Sequence, residues 1–178
     1  MGKALLIIDV LNEFVYGAIS GEHPEGIVPN LVRLIRAARQ SGVPVVFCKD
    51  EHLPVDRELT IWGEHAMKGA QGSEIIDAVA PKEGDFVVPK RTYSGFFDTG
   101  LNSLLRDLDA NTLYVTGLYA DPCVRHTVAD AYFERYDVVV VRDAVATLNP
   151  GSRAQELDYM QQMYGARLAT TDDVVGEF

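Results

Sequence analysis

Apolar and polar positions follow two different rhythms along this chain. "VPVVFCK" (43–49), "DFVVPK" (85–90), "TLYVTG" (112–117), "DVVVVRD" (137–143) and "ARLAT" (166–170) are read as strands, and in "KALLIID" (3–9) apolar residues run together without two-residue alternation. That is the pattern of strands buried on both faces, as in a parallel sheet. Between them, "NLVRLIRAARQSG" (30–42) sets Leu31, Leu34, Ile35 and Ala38 at three- and four-residue spacing and stops at Gly42, the signature of a helix with one apolar face. "GLNSLLRDLD" (100–109), "CVRHTVADAYFERY" (123–136) and "RAQELDYMQQMYG" (153–165) are read as further helices. The alternation predicts an α/β fold: a three-layer α-β-α arrangement with a mostly parallel, about six-stranded doubly wound sheet. Residues 51–72 fit neither rhythm, and a long irregular connection in a compact domain is often functional. No repeat, low-complexity tract or linker interrupts the pattern, so 1–178 is read as one domain.

Composition narrows the partners. The chain has 178 residues, 47% of them hydrophobic and 24% charged, enough to bury a substantial core. Its net charge of −10 opposes a phosphate-backbone partner, so no nucleic acid is expected. No apolar run reaches membrane-span length and "KALLIIDV" is too short for a signal peptide, so no membrane partner is expected and a cytoplasmic location is. Two cysteines, Cys48 and Cys123, make no disulfide framework, and a reducing compartment leaves a thiol free to react.

The ends of the strands supply the candidate chemistry, because open α/β sheets bind ligands beyond the carboxyl ends of their strands. The first strand ends in Asp9, the second runs into Lys49 and Asp50, the third into Lys90, and the fourth reaches Cys123 through "TGLYADP". A carboxylate ending a buried strand is costly unless paired, and buried ionisable groups cluster at sites. Cys48, within "VVFCKD", is read as a small core residue. Cys123 differs: Asp121 could cap the following helix and Pro122 suits its first turn, a setting that lowers a thiol pKa and favours the thiolate.

Asp9, Lys90 and "TGLYADPCVRHTVADAY" (116–132), together with "KRTYSGFFDTGL" (90–101), resemble the isochorismatase-like cysteine hydrolases, a group that includes nicotinamidases and N-carbamoylsarcosine amidases. The resemblance runs from "LLIIDVLNEF" to "RDAVAT". It implies a Cys123 nucleophile, Asp9 as general base and then acid, and Lys90 as electrostatic partner. It also implies an oxyanion hole from the backbone N–H groups of Tyr119 and Cys123, with a cis peptide between Leu118 and Tyr119. Isochorismatases lack the cysteine, so an amide substrate cleaved through a thioester is implied. The resemblance further implies a homo-oligomer.

Within "KDEHLPVDRELTIWGEHAMKG" (49–69), Asp50, His52 and His65 resemble the metal site of nicotinamidases. Two imidazoles and a carboxylate suit zinc or another divalent first-row ion. Nicotinamidase, converting nicotinamide to nicotinate and ammonia, is therefore the expected activity, with a divalent metal, zinc by preference, and no organic cofactor. Nicotinamidases commonly place a cysteine after that last histidine, where this chain has Ala66. An N-carbamoylsarcosine or ureidoacrylate-type amidohydrolase is the alternative. Phe14, Trp62 and Tyr119 are the expected pocket walls. His126 is set aside as the base, since three residues along the helix points it away from the pocket. Neither GxGxxG nor GxxxxGK[ST] occurs, which opposes a nucleotide-binding module. A catalytically inactive binding or scaffold protein is the more distant reading.

Overall fold

The computed structural model of the protein describes residues 2–178. Six strands, β1 (Gly2–Ile8), β2 (Val45–Asp50), β3 (Phe86–Lys90), β4 (Ala110–Gly117), β5 (Asp137–Val145) and β6 (Arg167–Ala169), form one sheet in the order β3-β2-β1-β4-β5-β6. Every neighbouring pair is parallel. The expected fold class is the observed one, and its reason is visible in β1, where successive residues serve opposite faces. Leu5 and Ile7 pack with α2 (Val28–Gln40), while Ala4, Leu6 and Ile8 pack with α4 (Leu101–Asp107), α5 (Arg125–Phe133) and α6 (Arg153–Tyr164). A strand covered on both sides has no polar face, hence its unbroken apolar run.

Three short helices escaped the periodicity reading: α1 (Asn12–Tyr16), α3 (Leu59–Trp62) within the irregular stretch, and α7 (Thr171–Glu177). The last starts at a capping box, with Thr170 and Asp173 exchanging side-chain-to-backbone hydrogen bonds.

Strand order reverses between β1 and β4, the place where open sheets of this kind open a crevice. The two strands approach closely there. Gly117, at φ +110, sits so near β1 that a Cβ would lie 2.1 Å from the Ile8 carbonyl oxygen. No helix among the described residues is long and apolar enough to cross a membrane.

Candidate active site and metal-binding pocket

Asp9 leaves the end of β1 in a left-handed turn, φ 52, a conformation that aspartate tolerates better than most residues. Its Oδ1 accepts the Asp50 N–H at 2.8 Å. Its Oδ2 lies 2.7 Å from Lys90 Nζ, in an ion pair whose angle misses a hydrogen bond, so Oδ2 has no aligned donor. Lys90 ends β3 and also donates to Asp50 Oδ1 at 2.6 Å and to the Thr92 carbonyl at 3.0 Å. Cys123 Sγ lies 3.7 Å from Lys90 Nζ. Asp9, Lys90 and Cys123, drawn from three strand ends, thus meet in one buried cluster.

Burial and the neighbouring charges together decide the protonation. Burial, then the Asp50 charge, pushes Asp9 up to about 7 against the pull of Lys90. Burial also raises Cys123 well above the ordinary thiol value; Lys90 opposes this and Asp9 adds to it. The expected thiolate is therefore corrected: at rest the sulfur is a neutral thiol beside a carboxylate able to take its proton. Burial is the main cause, and the helix terminus expected to oppose it does not lie at the cysteine. The residues around Cys123, Ala120–Val124, form a π-type turn, and α5 begins only at Arg125. Asp121 does not cap that helix; its carboxylate accepts from the Leu148 N–H at 2.8 Å and the Asn149 N–H at 2.9 Å, fixing the loop after β5. Cys48, raised by burial to about 12, is a core residue as expected.

The Leu118–Tyr119 peptide is cis. Among the described residues the Tyr119 N–H finds no acceptor. The Tyr119 hydroxyl accepts from the Gly21 N–H at 2.9 Å, and the backbone carbonyls of Phe14 and Ile19 both lie within reach of its single hydrogen. Phe14, Trp62 and Tyr119 line one cleft with Cys123, Asp50 and His65. Tyr93, which hydrogen-bonds the Trp62 indole at 2.9 Å, also lines it and was not anticipated. His126, set aside as a base, bonds the Pro122 carbonyl at 2.6 Å and is absent from the lining.

Asp50, His52 and His65 come together as well, joined by Glu58, with one donor atom from each within 4.8 Å of the others. All four are buried. His65 Nδ1 faces the Gly63 carbonyl at 2.8 Å, an acceptor, so Nδ1 carries the hydrogen and Nε2 presents a lone pair to the cluster. His52 Nε2 and Glu58 Oε2 have no hydrogen-bond partner. Two backbone bonds, His52 N–H to Ala66 O at 3.0 Å and Lys68 N–H to His52 O at 2.9 Å, hold the two histidine segments together. Burial, then the Asp50 charge, raises Glu58 to about 7, whereas Lys90 and His52 outweigh burial and hold Asp50 below its ordinary value. His52 is raised by Asp50 and Asp56 in spite of burial, so the cluster favours a positive charge at its centre. Mixed nitrogen and oxygen donors with buried orphan atoms fit a divalent cation such as zinc. Glu58 escaped the sequence reading because nothing in its spacing separates it from Glu51, Asp56 and Glu64.

The isochorismatase-domain family model matches residues 3–173. The chain belongs to the isochorismatase family. It is similar to N-carbamoylsarcosine amidase from Thermoplasma acidophilum, 42% identical, over 97% of this chain and 98% of that one, with a TM-score of 0.91. Nicotinamidase/pyrazinamidase PncA from Bacillus subtilis is 31% identical over 95% and 100% of the two chains, TM-score 0.89. The pyrazinamidase of Pyrococcus horikoshii, solved in complex with zinc, is 25% identical over 96% and 99%, TM-score 0.87. The protein is thus an isochorismatase-family hydrolase whose β1, β3 and β4 ends carry a carboxylate, an ammonium and a thiol.

Proposed function

We propose that this isochorismatase-family hydrolase is a nicotinamidase-type amidohydrolase that cleaves a small, neutral, planar amide. The observation that supports this reading most is Asp50. One carboxylate both bonds Lys90, beside the thiol, and faces His52 in the donor cluster, so reacting groups and metal ligands share a cleft. The cleft wall is mostly apolar and contains no arginine or lysine, which suits an uncharged amide better than a substrate bearing its own carboxylate.

In the proposed reaction Cys123 Sγ bonds to the amide carbonyl carbon while its proton passes to Asp9 Oδ2. The Tyr119 and Cys123 N–H groups hold the developing oxyanion. Asp9 returns that proton to the amide nitrogen, the C–N bond breaks, and ammonia leaves a thioester. Water then attacks the thioester, Asp9 takes its proton, and the acid product departs as the thiol is restored. Lys90 favours the ionised form of Asp9 against burial and holds it in place. Asp50, His52, Glu58 and His65 would hold a divalent ion, zinc by donor type, which when bound would offer a Lewis-acid coordination position to a ring nitrogen and so orient the amide.

A carbamoyl or ureido amide is the second reading, favoured by the 42% identity to an N-carbamoylsarcosine amidase and by Ala66 where nicotinamidases commonly carry cysteine. Ammonia release from nicotinamide, pyrazinamide, N-carbamoylsarcosine and ureidoacrylate, each with and without chelator, separates the two. Nicotinamide turnover lost on chelation is expected. Turnover of N-carbamoylsarcosine alone, indifferent to chelator, would replace the first reading with the second.

A further inference from the structure

We infer that Asp56, anchored by Arg91, is a positioning residue that fixes the orientation and tautomer of His52 for metal binding; this rests on the metal site of the proposed function. Asp56 is buried, although it lies on the long connection after β2. Its Oδ1 takes a two-nitrogen contact from the Arg91 guanidinium, Nε at 2.9 Å and Nη2 closer still. Its Oδ2 faces two further partners, the Leu53 N–H at 2.9 Å and His52 Nδ1 at 3.1 Å. A carboxylate held ionised by a guanidinium only accepts, so His52 Nδ1 must donate. His52 Nε2 is then the atom left to face Asp50. It lies 3.7 Å from Asp50 Oδ2, beyond a hydrogen bond, and has no partner. A fully buried imidazole nitrogen without a partner, facing a carboxylate it does not bond, is suited to serve with that carboxylate as a ligand of a divalent ion.

The arrangement is a carboxylate–histidine–metal relay extended by one residue, running from half-exposed Arg91 through Asp56 to His52. Arg91 follows Lys90 directly, so one dipeptide serves both halves of the cleft: Lys90 holds Asp9 and Asp50, and Arg91 holds Asp56. An asparagine at 56 could not replace the carboxylate. Its oxygen toward His52 and Leu53 would turn its NH2 against Arg91, and the reverse orientation would set NH2 against two donors.

The test is zinc affinity, measured by titrating chelator-stripped full-length protein against a competing indicator dye, for wild type, Asp56→Asn and Arg91→Gln. Cobalt(II) absorption spectra serve as a second readout of ligand geometry. We expect about 10–100-fold weaker zinc binding in Asp56→Asn, a smaller loss in Arg91→Gln, and an altered cobalt spectrum, with far-ultraviolet circular dichroism unchanged. Should Asp56→Asn fail to fold, Arg91→Gln carries the test alone. Wild-type affinity and spectrum in the folded variants would overturn the inference and leave the metal site standing. A wild-type protein that binds neither ion would overturn both.

Discussion

Lys90 Nζ stands 2.7 Å from Asp9 Oδ2, and because the same ammonium also bonds Asp50, one buried cation answers two buried carboxylates. Burial raises Asp9 and the neighbouring thiol, and the net negative charge of the trio adds to it. Replacing Lys90 by glutamine leaves both carboxylates without a counter-ion. Losing one partner of a buried ion pair costs about 3–5 kcal/mol. Protonation relieves part of that cost, so the loss of stability in urea denaturation should be larger at pH 8 than at pH 5. Equal losses at both values would mean that Lys90 is not the counter-ion of this pair.

The proton acceptor sets the pH dependence. With Asp9 raised to about 7 by burial and then by Asp50, kcat/KM should fall about tenfold per unit as pH drops below that value. Asp9→Asn should lose roughly 10²–10⁴ in rate and lose that pH dependence. The stability sign is opposite to that of a paired surface carboxylate. A raised folded pKa favours the protonated form, so the Asp9 contribution is fully present below the unfolded value near 3.8 and is lost as pH rises through about 7. Asp56, held well below the carboxylate range by Arg91, behaves in reverse and loses its contribution as pH falls.

Glu58 offers a separate test of the donor cluster. Burial raises it to about 7 and its Oε2 is an orphan, so above that pH a metal-free chain carries an unpaired buried charge. Glu58→Gln should therefore raise the melting temperature of the chelated protein at pH 8. The same change should shrink the stabilisation that added zinc gives to wild type. A variant with unchanged apo stability and an unchanged zinc response would remove Glu58 from the ligand set.

The two thiols should part company under iodoacetamide. Cys48 is raised to about 12 and packed in the core, whereas Cys123 opens onto the cleft. One carbamidomethyl group per chain is expected by intact-mass spectrometry, its rate rising with pH through about 7 as Asp9 ionises. Cys123→Ala should abolish both labelling and hydrolysis while the circular dichroism spectrum stays as it was. Labelling at Cys48 instead would unseat Cys123 as the reactive thiol.

Gly117→Ala probes the seam between β1 and β4. The added Cβ meets backbone, which cannot swing aside, and φ +110 is closed to L side chains. A loss of about 3 kcal/mol or more is expected in denaturant unfolding, together with loss of activity as the Asp9 and Cys123 turns are pushed apart. A melting temperature within a degree of wild type would contradict the close approach.

The sheet was legible because a strand covered on both faces cannot hide its apolar run, and Asp9 and Lys90 stood out as charges ending such runs. Three short helices were not: α1 and α3, of five and four residues, hold too few turns for a periodic pattern, and α7, as long as α4, has only the adjacent Val174 and Val175 as large apolar residues, although "TTDD" at its start carried a capping-box spacing that could have been read. Asp121 looked like a cap by position and serves instead as an acceptor for residues 148 and 149, a long-range contact that no local pattern encodes. The thiol's protonation was beyond reach for the same reason, since it depends on how deeply β1, β2 and β3 bury two carboxylates beside one lysine.

Asp9 and Cys123 follow adjacent strands, so their separation derives from the roughly 4.8 Å spacing of hydrogen-bonded neighbours rather than from any surface segment. The cleft walls come from elsewhere: Phe14 and Ile19 after β1, Trp62 on the irregular connection, Leu148 on the loop tied by Asp121. Chemistry and selectivity are thus carried on separable parts of one chain. Chimaeras that exchange residues 51–72 between family members should inherit the reaction from the recipient and the choice of amide from the donor.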